Sequence, residues 1–261
     1  MNLDDLKDIA RSDPLVNVTN AGGEGRVVLL CEHASRWIPD AYEGLGLSAE
    51  DLTSHAAWDP GALELSMTLA KALDGVLIAS KASRLVYDCN RPPEDRDAMR
   101  DQSELISVPG NVDLSQQDRD ARIRSVYEPF CSAVDSILDK RGSDTVVVTV
   151  HTFTPVYFGK HRSVEIGLLH DDDSRLVDAM LTHTDKLPGV IVARNDPYGP
   201  QDGVTHSLKI HAVRRGLPNV MIEIRNDLVR SAKQVEQVAQ QILALLLPAL
   251  EEIESKDTFN E

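Results

Sequence analysis

Short apolar runs alternate along this chain with longer amphipathic segments, and the alternation predicts strands and helices in turn. Seven apolar runs are predicted as strands: Arg26–Cys31, Val76–Ala79, Arg84–Tyr87, Thr145–Val150, Val164–Leu169, Val190–Ala193 and Asn219–Ile224. Six amphipathic segments are predicted as helices: Ser48–His55, Pro60–Leu73, Leu114–Lys140, Ser174–His183, Thr205–Arg215 and Leu228–Ile253. Asp59 before Pro60 is a helix-start signal, and Gly75, Gly142 and Gly216 stand where glycines end helices.

Several predicted strands, such as TVVVTV at 145–150, are apolar on both faces. Strands of this kind are typical of sheets that helices cover on both sides. The pattern therefore predicts an α/β fold, a three-layer α/β/α sandwich around a mixed, largely parallel sheet. No composition change marks a boundary, so residues 1–261 are expected to form a single domain. The polar stretch Pro92–Gln117 has no predicted element, and such loops are often functional lids.

The net charge of the chain limits the classes of partner and substrate that it can bind. The chain has 27 basic and 42 acidic residues, a net charge of −15. A charge of this sign repels polyphosphate, so we expect no nucleic-acid partner. It also repels a small anionic substrate at long range. Any such substrate therefore needs local arginines.

The hydropathy and the cysteine content of the chain indicate in which cellular compartment the protein is expected. No apolar run approaches the roughly 18 residues of a membrane span, so no membrane association is expected. The segment MNLDDLKDIARSD is acidic and lacks the features of a signal peptide. Cys31, Cys89 and Cys131 form neither a disulfide framework nor a metal knuckle. Reduced thiols are typical of the cytoplasm, which is the expected location.

Reactive side chains follow the carboxyl ends of the predicted strands. In open α/β sheets these ends form the edge at which ligands bind. Four strands contribute to this edge: Glu32 and His33 follow the first, Asp88, Asn90 and Arg91 the third, His151 the fourth, and the last carries Glu223 and Arg225. We therefore expect one site at this edge.

His33 and His151 are the candidate metal ligands. A catalytic zinc site keeps three protein ligands and one open position, so a carboxylate is needed as well. Glu32 and Asp59 are the alternatives. Neighbouring residues in extended backbone point apart, which disfavours Glu32 beside His33 and favours Asp59. Asp59 also has a purely structural alternative, as a helix cap. Two histidines and a carboxylate predict zinc but also suit other divalent ions.

Glu223 and the arginines are the candidates for the remaining chemistry. A glutamate inside the apolar strand VMIEIR is costly unless it is paired or functional. One alternative is a buried ion pair with an arginine, and the other is a general base that deprotonates a water molecule. Arg84 could polarise a carbonyl oxygen, and Asn90 with Arg91 suits a carboxylate.

At these residues the chain resembles a known family. CEHASRWIP, HAAWDPGA, SRLVYDCNRPP, the histidine of VTVHTFTP, NDPYGPQDG and HAVRRGLPNVMIEIRNDL occur in this order in N-formylglutamate amidohydrolases, and the resemblance covers about residues 27–247. That family is similar to zinc carboxypeptidases and aspartoacylases, with a phosphorylase/hydrolase-like fold. The resemblance implies that His33 and His151 bind zinc, that Asn90 and Arg91 hold the substrate carboxylate, and that Glu223 is the base.

The resemblance has departures. The residue three after His33 is Arg36, so the carboxylate ligand of a carboxypeptidase H-x-x-E pair is missing there. The segments EHAS and TVHT stand where deformylases show Pro-His-Ser-Gly and Asp-x-His-Ser. These differences indicate a divergent branch.

The expected activity is zinc-dependent hydrolysis of an N-formyl or other N-acyl amino acid, with N-formylglutamate as the leading substrate. Glu223 and Arg84 are the predicted catalytic residues. Asn195, Tyr198 and Arg225 are expected to contact the rest of a small anionic substrate. The alternatives are a zinc carboxypeptidase acting on a small peptide or cell-wall fragment, and a non-catalytic protein that binds an acidic ligand.

Overall fold

A computed structural model of the chain describes residues 15–258. The segment MNLDDLKDIARSD, which was predicted above not to be a signal peptide, lies outside these residues. Within them, no helix has the length and hydrophobicity needed to cross a membrane.

Seven strands form one mixed sheet. They are β1 (Val16–Thr19), β2 (Val27–Cys31), β3 (Val76–Ser80), β6 (Val146–Phe153), β9 (Ile166–Leu169), β10 (Val192–Arg194) and β11 (Asn219–Arg225), in the spatial order β1-β3-β2-β6-β11-β9-β10. The four central strands β3, β2, β6 and β11 are parallel. Strand β1 is antiparallel to β3, and β9 is antiparallel to β11. The predicted mixed, largely parallel sheet is confirmed.

Helices cover both faces of the sheet. They are α1 (Ala62–Ala72), α2 (Gln116–Arg122), α3 (Glu128–Leu138), α4 (Arg175–Leu181) and α5 (Ala232–Thr258). Side chains of β2 alternate between two buried clusters, with Leu29 packed among α1, α4 and α5 and Leu30 on the face of α3. Burial on both faces explains why these strands read as continuous apolar runs. The predicted three-layer α/β/α arrangement is confirmed.

Two predicted elements are wrong. Arg84–Tyr87 is a series of turns, with Val86 N donating to Ser83 O at 2.9 Å. The apolar residues of this segment are buried because the loop packs into the hydrophobic cluster that includes α3. They do not form an extended strand. Ser48–His55 has only a short 3₁₀ turn, Asp51–Thr53. There the Ser48 hydroxyl bonds Asp51, a local bond that competes with a regular helix.

Other elements differ in detail. The predicted helix Leu114–Lys140 is α2 and α3 joined by a π-helical turn at Ile123–Tyr127. Thr205–Arg215 is likewise irregular, with a π-helical turn at Leu208–Ala212 and a 3₁₀ turn at Val213–Arg215. The edge strand β1 was not predicted, because only four residues alternate there.

The stretch 92–117 forms a wall beside the carboxyl edge of the sheet. It contains a 3₁₀ turn at Arg96–Met99, a hairpin of β4 (Gln102–Ser103) and β5 (Ile106–Ser107), and a 3₁₀ turn at Pro109–Asn111. A second hairpin of β7 (Val156–Tyr157) and β8 (Lys160–His161) follows β6. The two hairpins are joined where Phe158 N donates to the Glu104 carboxylate at 2.9 Å.

Candidate metal centre and active-site cavity

The sheet brings the predicted site residues to one edge. His33 follows the end of β2, and His151 lies in the last half of the neighbouring parallel strand β6. Glu223 lies opposite His151 in the register of β11 with β6. Parallel neighbours end at the same edge, so residues 118 positions apart in the chain become adjacent.

Three donor atoms converge at this edge. The Nδ1 atoms of His33 and His151 are 3.1 Å apart. Asp59 Oδ2 lies 3.2 Å from the first and 3.1 Å from the second. Asp59 is fixed by its backbone N–H, which donates to His33 O at 3.0 Å, and its Oδ2 accepts from Thr152 N at 3.2 Å. All three ligand residues are buried.

The spacing of these atoms suits a small cation. Ligands about 2.0–2.1 Å from a tetrahedral ion lie about 3.3 Å from one another, close to the separations of His33, His151 and Asp59. Two imidazoles and one carboxylate, with a fourth side open to a cavity, are the donor set of a catalytic zinc site. The cluster could therefore hold a metal ion. Asp59 is not the cap of α1, because the N-cap residue of that helix is Gly61 and it has no side-chain cap hydrogen bond.

A second carboxylate lies behind each histidine, in hydrogen-bond contact with His33 and at ion-pair distance from His151. His33 Nε2 is 2.7 Å from Asp88 Oδ1, and His151 Nε2 is 3.2 Å from Glu32 Oε2. A carboxylate on the far nitrogen fixes the ring orientation and tautomer of a metal-binding histidine. Glu32, the alternative third ligand, therefore faces the wrong nitrogen to join the converging atoms.

The electrostatics of the cluster favour positive charge between these groups. Burial raises the pKa of Asp59, but His33, His151 and Arg84 outweigh it and lower that pKa below its ordinary value. Burial lowers the pKa of His151, but Glu32 and Asp59 outweigh it and raise that pKa well above its ordinary value. Both shifts show that the buried carboxylates of this cluster stabilise positive charge close to the two imidazoles.

Arg84 bridges two of the carboxylates. Its Nη1 is 3.2 Å from Asp59 Oδ1, and its Nη2 is 2.8 Å from Asp88 Oδ2. The side chain is 21% exposed, so part of it still faces the cavity. Arg84 thus holds the carboxylates of Asp59 and Asp88 in a fixed relation.

A cavity of 310 Å³ opens onto the donor cluster. Glu223 lines it and is 5% exposed. Within residues 15–258, Glu223 Oε2 has no hydrogen-bond partner, and no arginine forms an ion pair with this carboxylate. Burial raises the pKa of Glu223 to about 7, partly opposed by His151. A carboxyl group with this pKa can both accept and return a proton near neutral pH.

Asn90 and Arg91 line the same cavity. Their side chains also form hydrogen bonds to the segment 202–207 on its opposite side. Asn90 Nδ2 donates to Val204 O at 2.5 Å, and Asn90 Oδ1 accepts from Ser207 N at 2.9 Å. Arg91 Nη1 donates to Asp202 O at 2.8 Å. The amide of Asn90 is thus largely committed to positioning the 202–207 segment, whereas Arg91 has donors to spare.

The remaining residues predicted to contact the substrate differ in whether they line the cavity. Tyr198 lines the cavity, and its hydroxyl accepts from Arg162 Nη1 at 2.9 Å. Asn195 lies outside the lining, because its side-chain oxygen accepts from His170 N at 2.9 Å. Arg225 also lies outside, because its guanidinium bonds the Asp227 carboxylate at 2.8 Å and backbone carbonyls at 3.3 Å. The structure therefore does not bring Asn195 and Arg225 into the lining of this cavity.

Sequence reasoning missed several cavity residues. Asp97, Arg100 and Ser103 come from the wall formed by residues 92–117. Their only signal was the length and polarity of that stretch, which indicated a lid but not which side chains face inward. Tyr157 comes from the second hairpin and had no signal of its own.

Comparisons with known proteins identify related sequences and folds. The profile of the N-formylglutamate amidohydrolase family matches residues 25–230. A gene product of Agrobacterium tumefaciens with a known crystal structure is 51% identical, with a TM-score of 0.90 over 93% of this chain and 97% of that chain. The N-formylglutamate amidohydrolase of Ralstonia eutropha JMP134 shares the fold at 18% identity, with a TM-score of 0.69 over 93% of this chain and 98% of that chain. No curated protein sequence matches this chain significantly.

Proposed function

This chain belongs to the N-formylglutamate amidohydrolase family, and on that premise we propose that it uses zinc to hydrolyse N-formylglutamate to formate and glutamate. The observation that carries the proposal is the buried triangle of His33, His151 and Asp59 beneath a cavity that also contains Glu223. Amide hydrolysis needs an electrophilic centre and a base, and this cavity provides residues for both.

His33, Asp59 and His151 would hold the zinc ion. When bound, zinc supplies Lewis acidity, which lowers the pKa of water and polarises a carbonyl group. Asp88 and Glu32 keep the two imidazoles oriented, so the donors stay in place as substrate enters and products leave.

Glu223 is the proposed proton carrier. It takes a proton from the attacking water, whose oxygen forms a bond to the formyl carbon. The carbon–nitrogen bond then breaks, and Glu223 returns the proton to the leaving nitrogen. Arg84 stabilises negative charge that develops on the carbonyl oxygen. The balance is one amide and one water consumed, and one formate and one protonated amine formed, because the second proton of the water also passes to the nitrogen.

Arg91 is the proposed contact for the α-carboxylate of the substrate. Its guanidinium lines the cavity and has donors beyond the one that bonds Asp202 O. Asn90 supports it by holding the neighbouring wall, and Tyr198 contacts the rest of the substrate. In a chain of net charge −15, local cations of this kind are what an anionic substrate requires.

The test combines metal content with a substrate panel. We expect the purified protein to contain about one zinc per chain and to release formate from N-formylglutamate. The His33→Ala protein should lose both metal and turnover. Zinc-loaded protein that cleaves short peptides with free carboxyl ends, but no N-acyl amino acid, would indicate the carboxypeptidase alternative. Ligand binding with no turnover would indicate the binding-protein alternative.

A further inference from the structure

The cavity contains a third arginine, Arg100, that the proposed mechanism does not use. Its side chain is 21% exposed and lines the cavity together with Arg84 and Arg91. The backbone at this position is fixed, because Asn111 Nδ2 donates to Arg100 O at 2.8 Å. Arg100 is therefore a structured part of the cavity wall.

The three arginines differ in how their charges are met. Arg84 donates to two carboxylates, at 2.8 and 3.2 Å. Arg91 donates to Asp202 O at 2.8 Å, and the carboxylate of Asp95 lies 3.9 Å from its guanidinium. The nearest carboxylate to the Arg100 guanidinium is that of Asp97, at 3.5 Å. Across the described part of the chain, the buried Arg100 Nε has no hydrogen-bond partner.

Unpaired guanidinium donors in a partly buried wall are unfavourable. Burial, and then the neighbouring charge of Arg84, lower the pKa of Arg100. A mostly buried guanidinium without a close carboxylate partner favours an acceptor that enters the cavity. A carboxylate is the acceptor that best matches the guanidinium fork. With Arg91 assigned to one carboxylate, the free donors of Arg100 suit a second.

We propose that Arg100 selects substrates whose side chain carries a second carboxylate. The inference rests on the proposed function only for the identity of the substrate, because the free donors of Arg100 are a property of the cavity itself. Arg100 is then the residue that distinguishes an acidic acyl-amino acid from a neutral one of the same length.

A binding experiment tests Arg100 without turnover. Zinc-loaded protein is titrated calorimetrically with glutarate, which has two carboxylates, and with butyrate, which has one. We expect wild type to prefer glutarate by about 10- to 100-fold, and Arg100→Gln to lose most of that preference. Arg100→Lys keeps the charge and should retain part of it. An Arg100→Gln protein that binds the two probes with wild-type preference overturns the inference.

Arg96 offers a matched control. It lies in the adjacent 3₁₀ turn, is 80% exposed and pairs with Asp101. Arg96→Gln removes the same charge from the same segment but should keep the glutarate preference. Loss of preference in Arg96→Gln as large as in Arg100→Gln would show that only overall charge matters, and would also overturn the inference. Thermal melting of each variant verifies that the fold is retained.

Hydrolysis separates this inference from the proposed function. Arg100→Gln should raise KM for N-formylglutamate by about 10- to 100-fold and change KM for N-formylglutamine little. Equal losses of kcat on both substrates would contradict a selective role. If zinc-loaded wild type hydrolyses neither substrate, the proposed function fails, while the glutarate preference still decides the role of Arg100.

Discussion

At the scale of single residues, Glu223 has the most direct consequence for catalysis. Glu223→Gln keeps the shape of the side chain but cannot accept a proton. We expect kcat to fall by about 10²- to 10⁴-fold, while zinc content and KM change little, because Glu223 is not among the three converging donors. Formate release and metal analysis measure both. The exposed Glu236→Gln on α5 is the control, and a Glu223→Gln protein that lost its metal would show a ligand role instead.

Glu32 is expected to act through His151. Its carboxylate is buried, and the imidazole nitrogen 3.2 Å away is its closest charged partner. Glu32→Gln should weaken zinc affinity by about 10- to 100-fold, because the ring of His151 is no longer held by a negative charge. Competition with a chromophoric chelator measures the affinity. Unchanged affinity in a folded variant would argue that Glu32 has no part in orienting the ring.

His206 predicts a pH dependence of stability. Its Nε2 is 2.8 Å from the Tyr127 hydroxyl, and burial, followed by the charge of His211, lowers its pKa to about 4. The unfolded value is about 6.5, so the unfolded chain binds the proton more readily. This residue should therefore cost the native state stability as pH falls from about 6.5 towards 4, on the order of 2 kcal/mol.

Urea unfolding with EDTA present measures this effect without a contribution from metal loss. His206→Gln should flatten the pH dependence between pH 7 and pH 4.5 relative to wild type. His161→Gln, in the exposed second hairpin, serves as the matched control. The same slope in the His206→Gln protein as in wild type would mean that other groups account for the loss of stability.

At the scale of elements, the stability of the wall formed by residues 92–117 depends on the hydrogen bonds of Asn111. Asn111 Nδ2 donates to Leu85 O and Arg100 O, both at 2.8 Å, and its oxygen accepts from the buried Arg122 at 2.6 Å. Asn111→Ala leaves both carbonyls and part of the Arg122 guanidinium unpaired. We expect a loss of about 2–4 kcal/mol in unfolding free energy. Chemical denaturation measures it.

Asn17 is the control for that substitution. Its exposed side chain, on the edge strand β1, donates to the hydroxyl of Thr19, two residues away, at 3.3 Å. Asn17→Ala should cost less than about 0.5 kcal/mol. Comparable losses in the two variants would show that the contacts of Asn111 add nothing beyond the general cost of such a substitution.

The same elements show what sequence patterns could predict. The carboxyl edge of the sheet was predictable, because parallel neighbours end together and His33 and His151 each lie near the end of an apolar run. The run Arg84–Tyr87 was wrongly predicted as a strand, because a buried, packed loop has the same apolar pattern as a strand. The sequence also does not show that the guanidinium of Arg225 pairs with the Asp227 carboxylate. Contacts between loops, such as those of Asn111, leave no periodic signal.

At the scale of the whole molecule, the site couples metal binding to folding. The three donor residues come from β6 and from segments that follow β2 and precede α1, so they converge only when the sheet is formed. A ligand that binds only the folded state stabilises it by about 2.7 kcal/mol at 100 times its dissociation constant. Zinc should therefore raise the melting temperature of the chelator-treated protein, and the increase should grow with zinc concentration.

The His33→Ala protein distinguishes this coupling from nonspecific binding. The chain carries a net charge of −15, so exposed carboxylates can attract cations anywhere on the surface. Such nonspecific attraction of zinc would raise the melting temperatures of wild type and His33→Ala alike. Magnesium would then raise both melting temperatures as well. A shift specific to zinc that disappears in His33→Ala places the effect at the convergent donors. Equal shifts in both proteins would mean that the buried triangle does not bind the ion, and the metal-dependent mechanism would fail with it.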